Sequence, residues 1–135
     1  MPLHLACMNQ CPLEVIEYFV DLYPKALMEK DSQGRLPLHY ACCTTASKHM
    51  IAFLVGRNQM VCQEKDNEGF TPFHLICRYA PSMEMIEFLY QAHPGAVHEK
   101  NIFGHSPLHT VSLYYPSDLD ALLFLIKNNP EGLQQ

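Results

Sequence analysis

The chain has 135 residues, of which 48% are hydrophobic and 17% charged, with a net charge of -5. That is one domain's worth of chain, with enough apolar content for a core and too little charge for disorder. The longest apolar stretches, such as Leu122 to Ile126, fall far short of the ~20 residues of a membrane span, so no membrane partner is expected.

No basic segment followed by an apolar run is present near Met1, so no signal peptide is expected. The 9 Lys and Arg are scattered, whereas phosphate neutralisation needs them clustered. Nucleic acid is therefore not an expected partner.

The elements follow a repeat. Pro2-Leu3-His4, Pro37-Leu38-His39, Pro72-Phe73-His74 and Pro107-Leu108-His109 start 35 residues apart each time. The same spacing aligns Ala6, Ala41, Ile76 and Val111; Cys7, Cys42, Cys77 and Ser112; and Gly34, Gly69 and Gly104. Glu29-Lys30-Asp31 returns as Glu64-Lys65-Asp66 and Glu99-Lys100-Asn101. The units run 1–36, 37–71, 72–106 and 107–135, forming one domain.

Within each unit the first predicted helix opens on proline, whose missing N–H is not needed there. Thr71 and Ser106 stand before it as N-caps. Leu36 occupies that place in the second unit and cannot cap, so Leu36→Thr is expected to add about 0.5–2 kcal/mol; the opposing reading is that Leu36 is packed, in which case the change loses burial.

The second helix carries apolar pairs one turn apart: Val15, Ile16, Phe19 and Val20; Met50, Ile51, Leu54 and Val55; Met85, Ile86, Leu89 and Tyr90. In the last unit Ala121, Leu122, Leu125 and Ile126 are shifted by one residue. Tyr18, Phe53, Phe88 and Phe124 widen the stripe to suit a helix packed between two neighbours. Ser47, Ser82 and Ser117 are the expected caps, and Glu84 and Asp118 suit the first-turn dipole. Next come extended excursions near 27–36, 62–71 and 97–106. Their tetrads Asp31-Ser32-Gln33-Gly34 and Asp66-Asn67-Glu68-Gly69 are turn-forming and predict hairpin-like fingers.

These columns resemble the ankyrin repeat. The family's turn with Asp and Gly, its Thr-Pro-Leu-His and its helix pair are carried by Asp66, Gly69, Thr71, Pro72, Phe73 and His74, and by Asp31, Gly34, Pro37, Leu38, His39 and Ala41. The resemblance covers all four units. The family's usual unit is about 33 residues. One extra residue here falls between the helices, where stretches such as Tyr79-Ala80-Pro81-Ser82 replace Gly-His. The other falls after the second helix, at Pro24-Lys25-Ala26 and Pro94-Gly95-Ala96.

The resemblance implies an all-α solenoid with short fingers between helix pairs, which binds a protein on its concave face and finger tips. The candidate contacts are Ser32, Gln33, Arg35, Asn67, Glu68, Phe70, Arg78, Tyr79, Ile102, Phe103, His105, Leu113 and Tyr114, with Cys43 and Thr44 beside the first finger. They grow more aromatic toward the C-terminus, and aromatics and Arg dominate interface hot spots. Phe103 is the expected anchor, with Ile102, Tyr79 and Tyr114 around it. The opposing reading packs Phe70, Tyr79 and Tyr114 between units, and Phe103 against a finger.

Two other functions compete. The first is an architectural spacer in a larger repeat protein, which would show a scattered polar surface. The second is a metal or redox role for His4, His39, His74 and His109 with Cys7, Cys42 and Cys77. Helix packing separates equivalent residues by about 10 Å, beyond the reach of a disulfide and too far to converge on one metal. Free thiols are thus expected, with Cys43 the most exposed, in the cytoplasm or nucleus, and no cofactor is expected.

No phosphate loop or nucleophile elbow occurs. Glu14 with Glu17, and Glu84 with Glu87, are assigned to a solvated helix face, so enzyme activity is not expected. The first unit begins without a finger, and 133–135 end where the next would start. The chain is therefore expected to be a segment of a longer array, with Leu3, Val15, Ile16 and Phe19 meeting further repeats or a second copy.

Overall fold

The computed structural model describes residues 2–44, 48–79 and 81–129, and among these no strand occurs. Eight α-helices alternate short and long: α1 (Pro2–Met8), α2 (Leu13–Leu22), α3 (Pro37–Cys43), α4 (Lys48–Arg57), α5 (Pro72–Tyr79), α6 (Met83–Ala92), α7 (Pro107–Tyr114) and α8 (Leu119–Asn128). Among the described residues the regular structure is all helical, as the periodicity predicts. Packing links each element to its counterpart one unit on. The short helices meet in the order α1, α3, α5, α7, the long ones in the order α2, α4, α6, α8, and each pair also meets within its unit.

One core runs through these contacts. The short helices contribute Leu3, Leu38, Phe73 and Leu108; the long ones contribute Ile16, Ile51, Ile86 and Leu125. Each such side chain stabilises by about 1.5–3 kcal/mol on burial. Cys7, Cys42 and Cys77 are fully buried, as are Ala41, Ile76 and Val111.

The broad stripe expected of the long helices narrows in α2. Val15 is 52% exposed and Tyr18 is 68% exposed, whereas Met50 and Met85, in the column of Val15, are buried. The reason is packing partners: α4 lies between α2 and α6, but α2 meets α4 alone among the long helices. Leu3 and Ile16 are already enclosed within the chain, so they do not offer the contact surface expected of them.

The caps divide similarly. Ser82 accepts the Met85 N–H at 3.3 Å, and Thr71 Oγ1 accepts that of His74 at 3.2 Å. The Ser106 hydroxyl lies 3.1 Å from His109 Nδ1. At α8 the cap is Asp118, which accepts from Ala121 N at 3.2 Å, and not Ser117 as expected, because the last unit is offset by one residue. Ser47 lies outside the described residues.

Leu36 follows the packed reading and not the capping one. Its side chain is fully buried, and His39 Nδ1 accepts its backbone N–H at 2.9 Å. Leu36→Thr therefore loses a packed side chain to gain a cap, and the packing loss is the larger. A net destabilisation of about 1–2 kcal/mol is expected, read as a lower melting temperature. A higher one would show that the cap outweighs the burial.

The extended excursions expected near 27–36, 62–71 and 97–106 overlap at their first residues with five-residue 3₁₀ turns that follow α2, α4 and α6: Pro24–Met28, Gln59–Gln63 and Pro94–His98. Each turn buries two residues: Ala26 and Leu27, Val61 and Cys62, Ala96 and Val97. Proline opens the first and third; in the second, Asn58 Oδ1 takes over by accepting Met60 N at 3.1 Å. Between α1 and α2, where the ankyrin pattern has glycine, Gln10 itself adopts a φ of 57°.

Candidate functional site

The fingers are built by one acid or amide per unit. Asp31 Oδ1 accepts the N–H groups of Gln33 and Arg35 at 2.9 and 3.0 Å. Asp66 does the same for Glu68 and Phe70, both at 2.9 Å. Asn101 does it for Phe103 and His105 at 2.9 and 3.0 Å. Each loop closes as Arg35, Phe70 or His105 carbonyls accept Asp31, Asp66 or Asn101 N–H. Gly34, Gly69 and Gly104 complete the turns at φ of 74°, 83° and 79°, a region L-residues avoid. These are tight side-chain-stapled loops with no strand assigned, so the hairpin likeness holds only for their outline.

Neighbouring fingers are tied together. Asn67 N donates to Gln33 O, and Ile102 N to Glu68 O, both at 2.9 Å. Arg35 Nε bridges to Asp66 Oδ2 at 3.2 Å, with the carboxylate nearly enclosed. Tyr40 donates its hydroxyl to Asp31. Burial and that bond push the Tyr40 phenol up to about 12. Burial would raise the Asp31 carboxyl, but hydrogen bonds from Tyr40, Arg35 and Gln33 outweigh it and hold the group below its ordinary value.

The histidine column fastens fingers to helices. Nδ1 of His39 accepts Leu36 N, and Nδ1 of His74 accepts Thr71 N at 3.3 Å. With Nδ1 accepting, the proton sits on Nε2, which donates forward. His39 Nε2 reaches Glu64 O and Phe70 O at 3.1 and 3.2 Å. His74 Nε2 reaches His105 O at 3.3 Å, and His4 Nε2 reaches Arg35 O at 2.9 Å. Burial holds His39 below its ordinary pKa and lowers His74 to about 4. Both nitrogens of His39 and His74 are thus committed to protein partners. Among the described residues no group of three or more His, Cys, Asp or Glu could hold a metal. Burial also raises the thiols of Cys7, Cys42, Cys62 and Cys77, which disfavours the thiolate that redox chemistry needs. Cys11 and Cys43 are both half-buried.

On the helix side, the Arg78 guanidinium carbon lies 3.7 Å from the Tyr114 ring centroid and 4.8 Å from that of Tyr79. The neighbouring Tyr115 hydroxyl donates to Arg78 O at 2.7 Å, which ties the ends of α5 and α7 together. Tyr79 and Tyr114 remain about half exposed, at 47% and 48%. Phe103 is 58% exposed, and its ring is tilted against that of His105, with centroids 6.4 Å apart. Phe70 is half-buried against the His74 ring, so packing claims it in part.

Fingers and helices together enclose a groove of about 450 Å³. Arg35, Glu68, Phe70, Phe103 and His105 line it from the fingers, Arg78, Tyr79 and Tyr114 from the helices. All eight are sequence candidates. Leu75, Thr110 and Asn101 also line it; they were missed because their columns read as core or turn. Ser32, Gln33, Asn67, Ile102 and Leu113 are exposed but do not line this groove. Ile102 therefore does not join Phe103 there. A second hollow, of about 360 Å³, is lined by Pro2, Leu3, His4, Phe19, Tyr23, Ala26 and Glu29. Among the described residues no helix is long and apolar enough to cross a membrane.

No family model matches the chain, and no curated protein matches it.

Proposed function

We propose that the chain is an ankyrin-type solenoid and that it binds another protein along the face shared by its fingers and short helices. The observation that carries the reading is the groove itself. Eight residues chosen by their position in the repeat line one continuous surface, with Phe103, Tyr79 and Tyr114 all substantially exposed in it. An architectural spacer predicts scattered polar residues instead, and exposed aromatics gathered at one place favour a contact site. The committed imidazoles and the raised thiols favour packing roles for the Cys and His columns over metal or redox chemistry. Free cysteines suit the cytoplasm or nucleus.

Phe103→Ala tests the reading. It is expected to weaken binding of a captured protein partner by more than about 2 kcal/mol while leaving the melting temperature nearly unchanged, since the ring is mostly in solvent. Unaltered binding, or a loss confined to stability, makes Phe103 a packing residue and removes the anchor.

A further inference from the structure

The chain has three arginines, and carboxylates hold two of them: Arg35 meets Asp66 at 3.2 Å and Arg57 meets Asp21 at 2.9 Å. Arg78 differs. Among the described residues it has no carboxylate partner, and it lies instead against the rings of Tyr114 and Tyr79. Stacking uses the flat faces of a guanidinium and leaves its in-plane N–H donors, which suit two-pronged bonding to a carboxylate. Rings that already contact the guanidinium reduce the freedom lost on binding. Beside this cation the groove offers apolar surface from the exposed Phe103 and the half-buried Phe70, while Glu68 lines it on the finger side.

The charges restrict the occupant. A net charge of -5 and Glu68 in the groove oppose a strongly acidic partner surface. One carboxylate directed at Arg78 next to an apolar side chain complements both features. We infer that Arg78, oriented by Tyr79 and Tyr114, receives the side-chain carboxylate of an Asp or Glu in a partner protein segment whose adjacent large apolar residue rests on Phe103 and Phe70. This deepens the protein-binding reading and rests on it.

The test selects random dodecapeptides displayed on phage against the full chain. The recurrent peptide is then titrated against the parent, Arg78→Gln, Arg78→Lys and Phe103→Ala, alongside a copy with its acid changed to the amide. An acidic residue beside Leu, Ile, Phe or Trp is expected to recur. Arg78→Gln is expected to weaken binding about tenfold or more, Arg78→Lys less. The amide peptide is expected to bind parent and Arg78→Gln alike, because the lost partner is then the same. Tyr115 bonds the Arg78 carbonyl and not its side chain, so both variants keep that contact, and a thermal melt checks it.

Peptides that need Phe103 but lack the acid and ignore Arg78→Gln overturn the carboxylate inference and leave the protein-binding groove standing. Enrichment of nothing, or of peptides indifferent to both sites, overturns the groove and this inference with it. A dimer in sedimentation that Arg78→Gln dissolves, or displacement of the peptide by an oligothymidylate, overturns it in favour of a second copy or a nucleic acid.

Discussion

Asp66→Ala is expected to destabilise the chain by about 3–5 kcal/mol. One carboxylate accepts the Glu68 and Phe70 N–H groups at 2.9 Å and Arg35 Nε at 3.2 Å. Alanine leaves two partly buried donors without partners and removes the carboxylate from a guanidinium that keeps its contact with the Tyr40 ring, and each orphaned donor costs about 1–3 kcal/mol. Asp66→Asn separates the two contributions, since Asn101 already performs the same loop closure in the third finger. The asparagine variant keeps an amide oxygen for the backbone and loses only the ion pair, so about 1 kcal/mol is expected. Urea unfolding of the two variants measures this. Equal losses would mean that the Arg35 bridge, not the loop, is what Asp66 supplies.

The second large effect is a loss of stability in mild acid. Burial lowers His74 to about 4 and lowers His39 in the same direction, whereas an unfolded histidine titrates near 6.5. Above about pH 6.5 neither state binds the proton, and the folded chain has its full stability. As pH falls below that, the unfolded chain takes up protons that the buried imidazoles refuse, so stability falls. The slope approaches about 1.4 kcal/mol per pH unit for each such imidazole. For His74 the loss reaches about 3 kcal/mol by pH 4 and then levels off as the folded ring protonates. Asp31 adds a further loss as pH falls through the ordinary carboxylate range toward its own lower value, because the unfolded carboxyl protonates before the folded one. Unfolding midpoints between pH 7.5 and 5 isolate the histidines. His74→Gln, weaker at neutral pH, is expected to show a flatter profile. A profile as steep as the parent's would place the acid sensitivity elsewhere.

Helix type and the spacing of the units were legible in the sequence because both rest on local chemistry. Proline at the first helical position, an apolar residue each turn, and Asp or Asn three residues ahead of glycine act over a few residues and recur every 35. The 3₁₀ turns at Pro24–Met28 and Pro94–His98 were hidden, since a single short turn has no periodicity to detect. The candidate surface was legible at Arg35, Glu68, Phe70, Arg78, Tyr79, Phe103, His105 and Tyr114, because repeat position alone puts them on fingers and short helices. It was not legible at Leu75, Thr110 and Asn101, whose residue types are those of core and turn.

Sequence by itself determined that four similar units exist, that they are helical, and where their fingers turn. Tertiary packing decided which side chains meet across units. Leu36 is a core residue because the folded chain encloses it, although its place before Pro37 is that of a cap. Val15 is exposed because α2 has one long-helix neighbour, while Met50 and Met85 in the same column are covered. Arg78 stands against Tyr114, 36 residues away in the chain, because α5 packs on α7. Contacts of that kind depend on distances between helices, and a pattern of residue types along one chain carries no measure of those distances.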